Sequence, residues 1–500
     1  MIVRRSIGLF FVLLLSAGCG SDKPQGSNSS AGNDGSAGKG GGASASASGG
    51  APGSAGESEL GGNHSVGGSP ASAGVEQTGS ELTYYGDVAP ILEEHCLQCH
   101  QDGGIAPFRL DDYATAKAKA GAIAAETAGR TMPPWSVTSD GSCGEFSGSL
   151  ALSDEQIDTF SKWAKGGAKQ GTPRALSKPA LPSLGTGTLF KSPQFTPIIQ
   201  GGPLTEADEY RCFELDSGVD AQKFITGYEV TPGNPEIIHH VLAFLVDPSA
   251  KTELSGEPNL TNAQLMARLD AESPDRDGWP CFGMAGDGVG VNAVPVVWAP
   301  GQGPVEFPVK SGVPLTPSDK IVIQIHYNLH DMSLVGQSDQ TSIKLRLADE
   351  VERVGLFVLN DPFLNTLGDD TPAQLAPGKA SVKYNWSQKL ADFGLAEVPD
   401  VQLNGIMPHM HQLGRKYQLQ VSTASGNTCA ADVQNWDFHW QRMYFYDKPR
   451  TLDATTVFKV TCDFDTTSVT EPVLPGWGTS NEMCLATLYL TVPVQTVQSL

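Results

Sequence analysis

The sequence predicts a multidomain protein in which a small α-helical domain is followed by two antiparallel, jelly-roll-like β-sandwich domains. Helical patterns are concentrated between residues 82 and 172, whereas short alternating segments separated by Gly, Pro and Asp dominate from about residue 186 onward. A proline-rich stretch, TPRALSKPALPSLG, lies between the two regions. With 500 residues, the chain is long enough for several domains, each with its own core.

The first 19 residues have the pattern of an export signal. Arg4 and Arg5 precede a short apolar run, residues 7–15, and small residues lead to Cys19 in the sequence LSAGC. The run is too short to span a bilayer comfortably, which disfavours a transmembrane anchor. The pattern resembles a bacterial lipoprotein signal, so we expect a lipid on Cys19 that attaches the protein to a membrane. It implies an exported protein on the periplasmic side of the outer membrane, or at the cell surface, of a Gram-negative bacterium.

Residues 20–80 form a segment of low complexity. They are almost entirely Gly, Ser and Ala, and such a segment cannot bury enough apolar surface to offset the entropy of ordering. We therefore predict a disordered tether. The whole chain has a net charge of -22 and no basic stripe stands out, which argues against nucleic acid as a partner.

A C-x-x-C-H motif, formed by Cys96, Cys99 and His100, lies near the start of the ordered region. This is the attachment motif of a c-type haem, in which the two thiols add to the haem vinyl groups and the histidine supplies an axial nitrogen. The segment VAPILEEHCLQCH reads as a helix that runs into the motif. A redox dithiol is the main alternative, but it has no need of His100.

A second axial ligand for this haem is expected some tens of residues further along the chain. Met132, in RTMPPW, is the methionine that follows His100 in this region, whereas His95 is poorly placed because it directly precedes the motif. The segment LSDEQIDTFSKWAKGG reads as a closing helix with Ser153 as its N-cap. Residues 82–172 therefore resemble a small cytochrome c domain that carries one haem c.

The region after the predicted linker, residues 173–185, reads as a series of strands. KIVIQIHYNL alternates well, and its His326 leaves the apolar face. TVFKVTCDFD and EMCLATLYLTV show further strand patterns. We predict two β domains, residues 186–352 and 353–500.

Histidines are concentrated at three places in these β domains. In MPHMHQLGRKY, His409 and His411 are two apart, so in a strand both imidazoles would project from one face in a chelating geometry. In IIHHVLAFLV, His239 and His240 are adjacent, so they bind one metal only if the strand is kinked or bulged, or if different ring nitrogens are used. His326 is the third place. Spacing alone does not exclude the alternative, a set of hydrogen-bonded histidines on the surface or in the core.

Four motifs in a fixed order add a family resemblance to this pattern. H-H-V at 239–241, Q-I-H-Y at 324–327, H-M-H-Q-L-G at 409–414 and N-E-M-C at 481–484 resemble the copper type II, ascorbate-dependent monooxygenase family, which includes peptidylglycine- and dopamine-hydroxylating enzymes. The resemblance covers about residues 186–500 and implies two coppers. Their ligands would be His239, His240 and His326 for the first copper, and His409, His411 and Met483 for the second, catalytic copper.

The sulfur ligand of the second copper has a rival. A thioether is a soft ligand that favours Cu(I). Met407 shares the strand parity of the two nearby histidines, but we rank Met483 higher on the family pattern alone.

The cysteines of an exported chain are expected to form disulfides. The family resemblance implies a bond between Cys462 and Cys484, and Cys212 is expected to pair with Cys281. This leaves two cysteines, at positions 143 and 429, without an assigned partner. A bond that joins two domains is one option, but nothing in the sequence supports it.

The resemblance implies a copper-dependent monooxygenase that hydroxylates a C–H bond of a small organic substrate with dioxygen. We expect the electrons, supplied by an ascorbate-like reductant or a redox protein, to enter through the haem and to reach the first copper. The peptide-amidating branch holds a substrate carboxylate at three positions that are Met407, Leu485 and Thr487 here, which favours a less charged substrate. The alternative is a membrane-anchored copper and haem electron-transfer protein without monooxygenase turnover.

Overall fold

The computed structural model describes residues 81–199, 207–251 and 260–499, all of which belong to one compact unit. The predicted export signal and tether lie outside the described residues. Among the residues described, none of the helices is both long enough and apolar enough to cross a membrane.

The region predicted to be helical contains five short helical segments. A π-helical turn, Tyr84–Val88, is followed by α1 (Ala89–His95), α2 (Tyr113–Ala118), α3 (Ala120–Ala128) and α4 (Asp154–Lys165). Helix α4 begins where the sequence predicts, because Ser153 and Gln156 form a reciprocal capping box. Tyr84, Phe160 and Trp163 are buried at the centre of this region. That the region is a cytochrome c domain stays a prediction.

The segment between α3 and α4 packs against the β-rich part of the chain. Trp135, Val137 and Phe146 belong to the same hydrophobic core as the strands of the last third of the chain. A disulfide joins Cys143 to Cys429, which lie 286 positions apart. The two cysteines that the sequence leaves unassigned are therefore bonded to each other, and their bond links the helical region to the second β region.

The β-rich part contains 18 strands among the described residues. The first ten are β1 (Thr188–Lys191), β2 (Asp208–Asp216), β3 (Lys223–Thr231), β4 (Ile238–Val246), β5 (Trp279–Pro280), β6 (Ala293–Trp298), β7 (Val305–Glu306), β8 (Ser311–Leu315), β9 (Lys320–Asn328) and β10 (Ser342–Ala348). The other eight are β11 (Arg353–Asn360), β12 (Val382–Lys389), β13 (Gln402–His409), β14 (Gly414–Thr423), β15 (Gly426–Val433), β16 (Tyr444–Thr451), β17 (Val457–Phe464) and β18 (Leu485–Pro493). The predicted boundary at 352/353 falls between β10 and β11.

Helices also occur in this part of the chain. They are α5 (Asn262–Ala271), α6 (Pro362–Asn365), α7 (Val494–Ser499) and the 3-10 turns Met332–Leu334, Thr366–Gly368 and Leu390–Phe393. Helix α5 is not among the elements predicted from the sequence. Its signal is present, because Thr261 and Gln264 have the spacing of a capping box and form one.

The strands form three sheets, and their pairing is antiparallel except for one parallel contact between β8 and β11. A five-stranded sheet has the order β5-β2-β9-β4-β6, and a four-stranded sheet has the order β12-β17-β14-β15. A nine-stranded sheet, β1-β10-β3-β8-β11-β18-β13-β16 with β7 beside β3, runs through both β regions. One hydrophobic core contains residues of the five-stranded sheet and of strands such as β3, β8 and β10. A second contains residues of the four-stranded sheet and of strands such as β11, β13 and β18. The predicted antiparallel β-sandwich architecture agrees with this arrangement.

Candidate metal centres

A β-bulge brings three histidines together on neighbouring strands. In the pairing of β4 with β9, Ile238 lies opposite Tyr327 and His240 lies opposite His326, so His239 is an extra residue in β4. A bulge of this kind kinks the strand and redirects a side chain. The adjacent histidines, which could not share a metal on a regular strand, therefore both face His326.

The three imidazoles of this first site converge through their Nδ1 atoms. The Nδ1–Nδ1 distances are 3.2 Å between His239 and His240, 3.1 Å between His239 and His326, and 3.3 Å between His240 and His326. Imidazole nitrogens bind a metal at about 2 Å, so three nitrogens around one ion in a plane lie roughly 3.4 Å apart. The spacing of the three nitrogens fits one metal ion, and copper is among the metals that imidazole suits.

A buried carboxylate orients His326. The His326 Nε2–H donates to Asp208 Oδ1 at 3.0 Å, which leaves the Nδ1 lone pair directed at the other two histidines. Asp208 also accepts a hydrogen bond from the Asn328 amide at 2.6 Å and one from the Thr479 backbone N–H at 3.2 Å. The ring of Tyr210 stacks on His326 at a centroid distance of 3.9 Å.

The second pair of histidines presents the opposite ring nitrogens. The His409 Nδ1–H donates to the Gln441 side-chain oxygen at 2.5 Å, and the His411 Nδ1–H donates to the Asn481 carbonyl at 2.9 Å. Gln441 is itself held by a 2.7 Å bond from its Nε2 to the Phe438 carbonyl. Both histidines therefore keep Nε2 available for a metal. Strand β13 ends at His409, so the sequence prediction that both histidines lie in one strand is wrong for His411.

Two methionines, Met407 and Met483, lie beside this second pair. Both are buried, and both line the same cavity as His409 and His411. Strand β18 begins at Leu485, so Met483 lies in the loop before the strand and not in the strand that the sequence predicts. The thioether of either residue is available to this centre, and the ranking of Met483 over Met407 stays a prediction.

Glu482, directly before Met483, fixes the loops of the second centre. Its carboxylate accepts the backbone N–H groups of His411 at 2.8 Å, Leu413 at 2.7 Å and Met483 at 3.3 Å. Burial raises the pKa of Glu482 to about 8, although these three bonds act in the opposite direction. One side chain therefore connects the H-x-H loop to the methionine loop.

Burial keeps the site histidines neutral, which is the form that binds a metal. It lowers the pKa of His409 to about 4 and that of His411 to about 3. The pKa values of His239 and His240 lie well below the usual value, because of burial first and the neighbouring histidines second. At neutral pH no proton has to leave these imidazoles before a metal binds.

Phe438 lies between the two sets of histidines. Its ring stacks on His239 at a centroid distance of 4.6 Å, and it meets His411 edge-on at 5.8 Å. One aromatic side chain thus contacts a predicted ligand of each copper. Phe438 is not among the site residues predicted from the sequence, and neither are Asp208, Gln441 and Glu482.

A small apolar cavity adjoins both centres. It has a volume of about 100 Å³ and reaches both His240 and the second pair of histidines. Met407, Leu485 and Thr487, the three positions at which the peptide-amidating branch holds a carboxylate, all line it. Its other apolar lining residues include Leu242, Val297, Trp298, Leu359, Leu364 and Trp477.

The C-x-x-C-H motif follows α1. Cys96 and Cys99 are not bonded to each other, and the His100 Nδ1–H donates to the Phe108 carbonyl at 3.0 Å, which leaves its Nε2 available to a metal. Met132 and His95 line a separate cavity of about 750 Å³, and the three residues of the motif are not among those that line it. That Met132 is an axial ligand therefore stays a prediction.

An arginine of the second β region reaches the helical region. The Arg442 guanidinium lies over the Trp135 ring at 5.0 Å, and its Nε is buried without a hydrogen-bond partner among the described residues. Burial raises the pKa of the Cys99 thiol, and the nearby Arg442 charge acts in the opposite direction. Arg442 directly follows Gln441, the partner of His409.

Comparison with known proteins gives a family match for the last part of the β-rich region. Residues 395–497 match the family described as copper type II ascorbate-dependent monooxygenase, C-terminal domain. This match includes the second pair of histidines and both candidate methionines. That family is a class of copper-dependent monooxygenases, which are oxidoreductases, and the match is to its C-terminal domain alone.

A particular relative supports the same class. The chain is similar to a tyramine beta-hydroxylase from Caenorhabditis briggsae, with 24% identity over 270 residues, which are 52% of this chain and 40% of that protein. The chain thus matches less than half of the relative's length. Among solved structures, the major capsid protein P2 from Bacteriophage PM2 covers 61% of this chain and 98% of its own, with 10% identity and a TM-score of 0.21. A Paenibacillus xanthan lyase covers 67% of this chain and 29% of its own, with 10% identity and a TM-score of 0.15. TM-scores this low carry no argument about this chain.

Proposed function

We propose that this protein is a copper-dependent monooxygenase that hydroxylates a C–H bond of a small, weakly charged organic molecule. In the balanced reaction, the substrate, one dioxygen, two electrons and two protons give the hydroxylated product and one water. The observation that carries the proposal is the convergence of three imidazole nitrogens beside an apolar cavity that a second pair of histidines also lines. Copper bound there would supply one-electron redox chemistry and the activation of dioxygen.

The protein's own residues orient the metal ligands and exclude water from the site. Asp208 and Gln441 select which nitrogen of His326 and His409 faces the metal, and Glu482 holds the two loops of the second centre. The apolar lining of the cavity keeps water away from the reacting C–H bond.

The cavity supports a substrate without a carboxylate. Met407, Leu485 and Thr487 offer no cation, and no Lys or Arg occurs among the described residues that line the cavity. Asp361 is the one carboxylate among them, and its two oxygens already accept the Leu364 and Cys484 backbone N–H groups, each at 3.0 Å. A neutral, largely apolar molecule suits this lining.

The first test combines copper content with reductant-driven oxygen uptake in the full chain. Two coppers per chain and an uptake that is lost in Met483→Ala support the proposal. The matched variant Met407→Ala separates the two thioethers, because it should retain copper and uptake if Met483 is the ligand. Uptake that is indifferent to Met483, or one copper or none per chain, would favour the electron-transfer protein instead.

We further propose that residues 82–172 carry one covalently bound haem c, which would supply electrons singly. The unbonded Cys96 and Cys99 thiols and the oriented His100 support this proposal. Mass spectrometry of the purified chain tests it, since a covalent haem adds a fixed mass that disappears in Cys96→Ala/Cys99→Ala.

Contacts between the regions support electron entry from the haem. Electrons are expected to reach the site of His239, His240 and His326. A second path leads from the Met132 segment to the second site. The Arg442 guanidinium lies over the Trp135 ring, and Gln441, the residue before Arg442, is hydrogen-bonded to His409. Stopped-flow mixing with a reductant tests the proposal: reduced haem beside copper that stays Cu(II) would exclude this route.

We also propose that the chain is exported and anchored by a lipid on Cys19. The basic residues, the short apolar run and the LSAGC sequence support this. The variant Cys19→Ala should move the protein from the membrane fraction to the soluble fraction. Labelling with a radioactive fatty acid should fail in the same variant. Protein that stays on the membrane would point to another kind of attachment.

A further inference from the structure

A second cleft opens between the helical region and the second β region. It has a volume of about 400 Å³. The helical region contributes Arg130 and Trp135, and the second β region contributes Arg415, Trp436, Phe438 and Trp440. The cleft is therefore distinct from the apolar cavity at the histidines, and it requires both regions.

The aromatic walls of this cleft connect it to both metal centres. Phe438 contacts His239 and His411, as described above. The Trp436 Nε1–H donates to the His411 carbonyl at 3.1 Å. A molecule held against Phe438 and Trp436 would be separated by a single side chain from the predicted ligands of either copper.

Besides His439, the acidic and basic side chains among the described residues that line the cleft are Arg130, Arg415 and Asp437, so its lining carries two guanidinium groups and one carboxylate. The side chains of Arg130 and Arg415 are 50% and 48% exposed, and they form ion pairs with Asp154 and Asp465, respectively. Asp437 is the carboxylate among the lining residues, and it accepts the ring and backbone N–H groups of the neighbouring His439. Flat aromatic walls and two guanidinium groups together favour a small planar anion.

We propose that this cleft binds a small planar anion that donates single electrons, an ene-diolate of the ascorbate class. The ring of the anion stacks on the tryptophans, and its negative charge faces Arg130 and Arg415. Each bound donor would lose one electron and release one proton to solvent, and copper(II) held by the histidines would accept that electron. Two donors in succession supply the two electrons of one hydroxylation. This inference rests on the proposed function.

The helical region therefore takes part in reduction in a second way, apart from any haem. Arg130 and Trp135 come from the segment that the Cys143–Cys429 bond fastens to the β region. A β region alone would lack half of the cleft.

The test is a calorimetric titration of the full, copper-loaded chain with ascorbate under argon. The copper is reduced beforehand, so that ascorbate binds without reacting. The wild type should bind saturably, and Arg130→Gln/Arg415→Gln should bind about tenfold more weakly for each charge removed. The matched control is Arg450→Gln, because Arg450 also lies over an aromatic ring, Tyr446 at 5.1 Å, but outside the cleft. Without oxygen, the rate at which the Cu(II) EPR signal is lost should saturate as the ascorbate concentration rises. The half-saturating concentration should be higher in the same double variant.

Two results of the ascorbate titration would overturn the inference: no saturable binding to the wild type, or equal binding to the double variant and to the wild type. Binding of a neutral aromatic alcohol in preference to ascorbate would overturn it as well, and would make the cleft an entrance for substrate. If the chain holds two coppers and turns over but does not bind ascorbate, this inference alone is wrong. If the chain binds ascorbate at the cleft but contains no copper, the proposed function is wrong.

Discussion

At the scale of single residues, the hydrogen-bond partner of each imidazole decides which nitrogen meets a metal. Asp208 engages Nε2 of His326, whereas Gln441 engages Nδ1 of His409. The two centres therefore differ in geometry although both use histidine. The H-H and H-x-H spacings in the sequence do not indicate which ring nitrogen faces a metal.

Replacing Gln441 should weaken copper binding at the second centre. In Gln441→Leu the His409 Nδ1–H loses its acceptor, so the ring is free to rotate and to exchange tautomers. Such a loss typically reduces metal affinity by about 10- to 100-fold. Competitive titration with a copper chelator measures the effect, and Gln434→Leu, on an exposed side chain, is the control. Equal affinities would mean that Gln441 does not orient the ligand.

The buried histidines also predict a pH dependence of stability for the metal-free protein. The folded pKa values of His409 and His411 are about 4 and about 3, whereas unfolded histidine has a pKa of about 6.5. As the pH falls below 6.5, the unfolded chain binds protons that the folded chain does not, so the free energy of unfolding decreases. Each such histidine should cost about 2 kcal/mol at pH 5.

Urea unfolding between pH 7.5 and pH 5 tests this dependence. The variant His409→Asn/His411→Asn should show a shallower decrease than the wild type, because it lacks two of the titrating groups. Identical slopes would contradict the assignment of the stability loss to these two residues.

At the scale of elements, the loops and the bulge that carry the ligands are less predictable than the strands. Alternation in KIVIQIHYNL predicts β9 and places His326 correctly off its apolar face. The bulge at His239 depends on the pairing of β4 with β9, which the sequence of β4 alone does not encode. Likewise, Asp208 reaches His326 because β2 pairs with β9, and those strands are more than a hundred residues apart.

Glu482 should stabilise the loops of the second centre. Above pH 8, where the Glu482 carboxyl group is ionised, Glu482→Gln replaces one acceptor oxygen with an amide NH₂ that faces a backbone N–H. We expect a loss of about 2 kcal/mol in the free energy of unfolding, together with weaker binding of Cu(I). Chemical denaturation and Cu(I) titration measure the two effects, with Glu471→Gln, at an exposed position, as the control. An unchanged stability would show that the loops hold their shape without this carboxylate.

The disulfide between Cys462 and Cys484 should stabilise the entry to β18. It joins β17 to the residue after Met483 and closes a loop with a sequence separation of 22. Cys462→Ala/Cys484→Ala should reduce the free energy of unfolding by about 3 kcal/mol. Denaturation of the oxidised wild type and of the variant measures it, and a difference near zero would mean that packing alone fixes the strand.

At the scale of the whole molecule, a disulfide and a shared hydrophobic core fasten the helical region to the second β region. The C-x-x-C-H motif and the capping box of α4 can both be recognised in the sequence, but neither indicates which part of the protein the helical region contacts. The docking surface consists of Trp135, Phe146 and the Cys143–Cys429 bond, which contact strands almost 300 residues away. Contacts of such long range leave no local pattern.

Removing this bond should loosen the docking of the helical region without unfolding the β sandwiches. In Cys143→Ser/Cys429→Ser, limited proteolysis should cut faster within residues 173–185, which contain no helix or strand. A β-sandwich fragment should remain resistant. Cleavage at the wild-type rate would show that hydrophobic contacts suffice to hold the region.

The Cys212–Cys281 disulfide lies within the loop that the Cys143–Cys429 disulfide closes, and this arrangement affects how the chain forms its disulfides during synthesis. If the chain is exported as proposed, it emerges into an oxidising compartment from its N-terminus and exposes Cys143 long before Cys429, with Cys212 and Cys281 in between. Oxidation in order of emergence would pair Cys143 with the wrong thiol. The yield of native protein should therefore depend on an enzyme that reshuffles mispaired thiols during biogenesis, and a host without one should accumulate scrambled isomers.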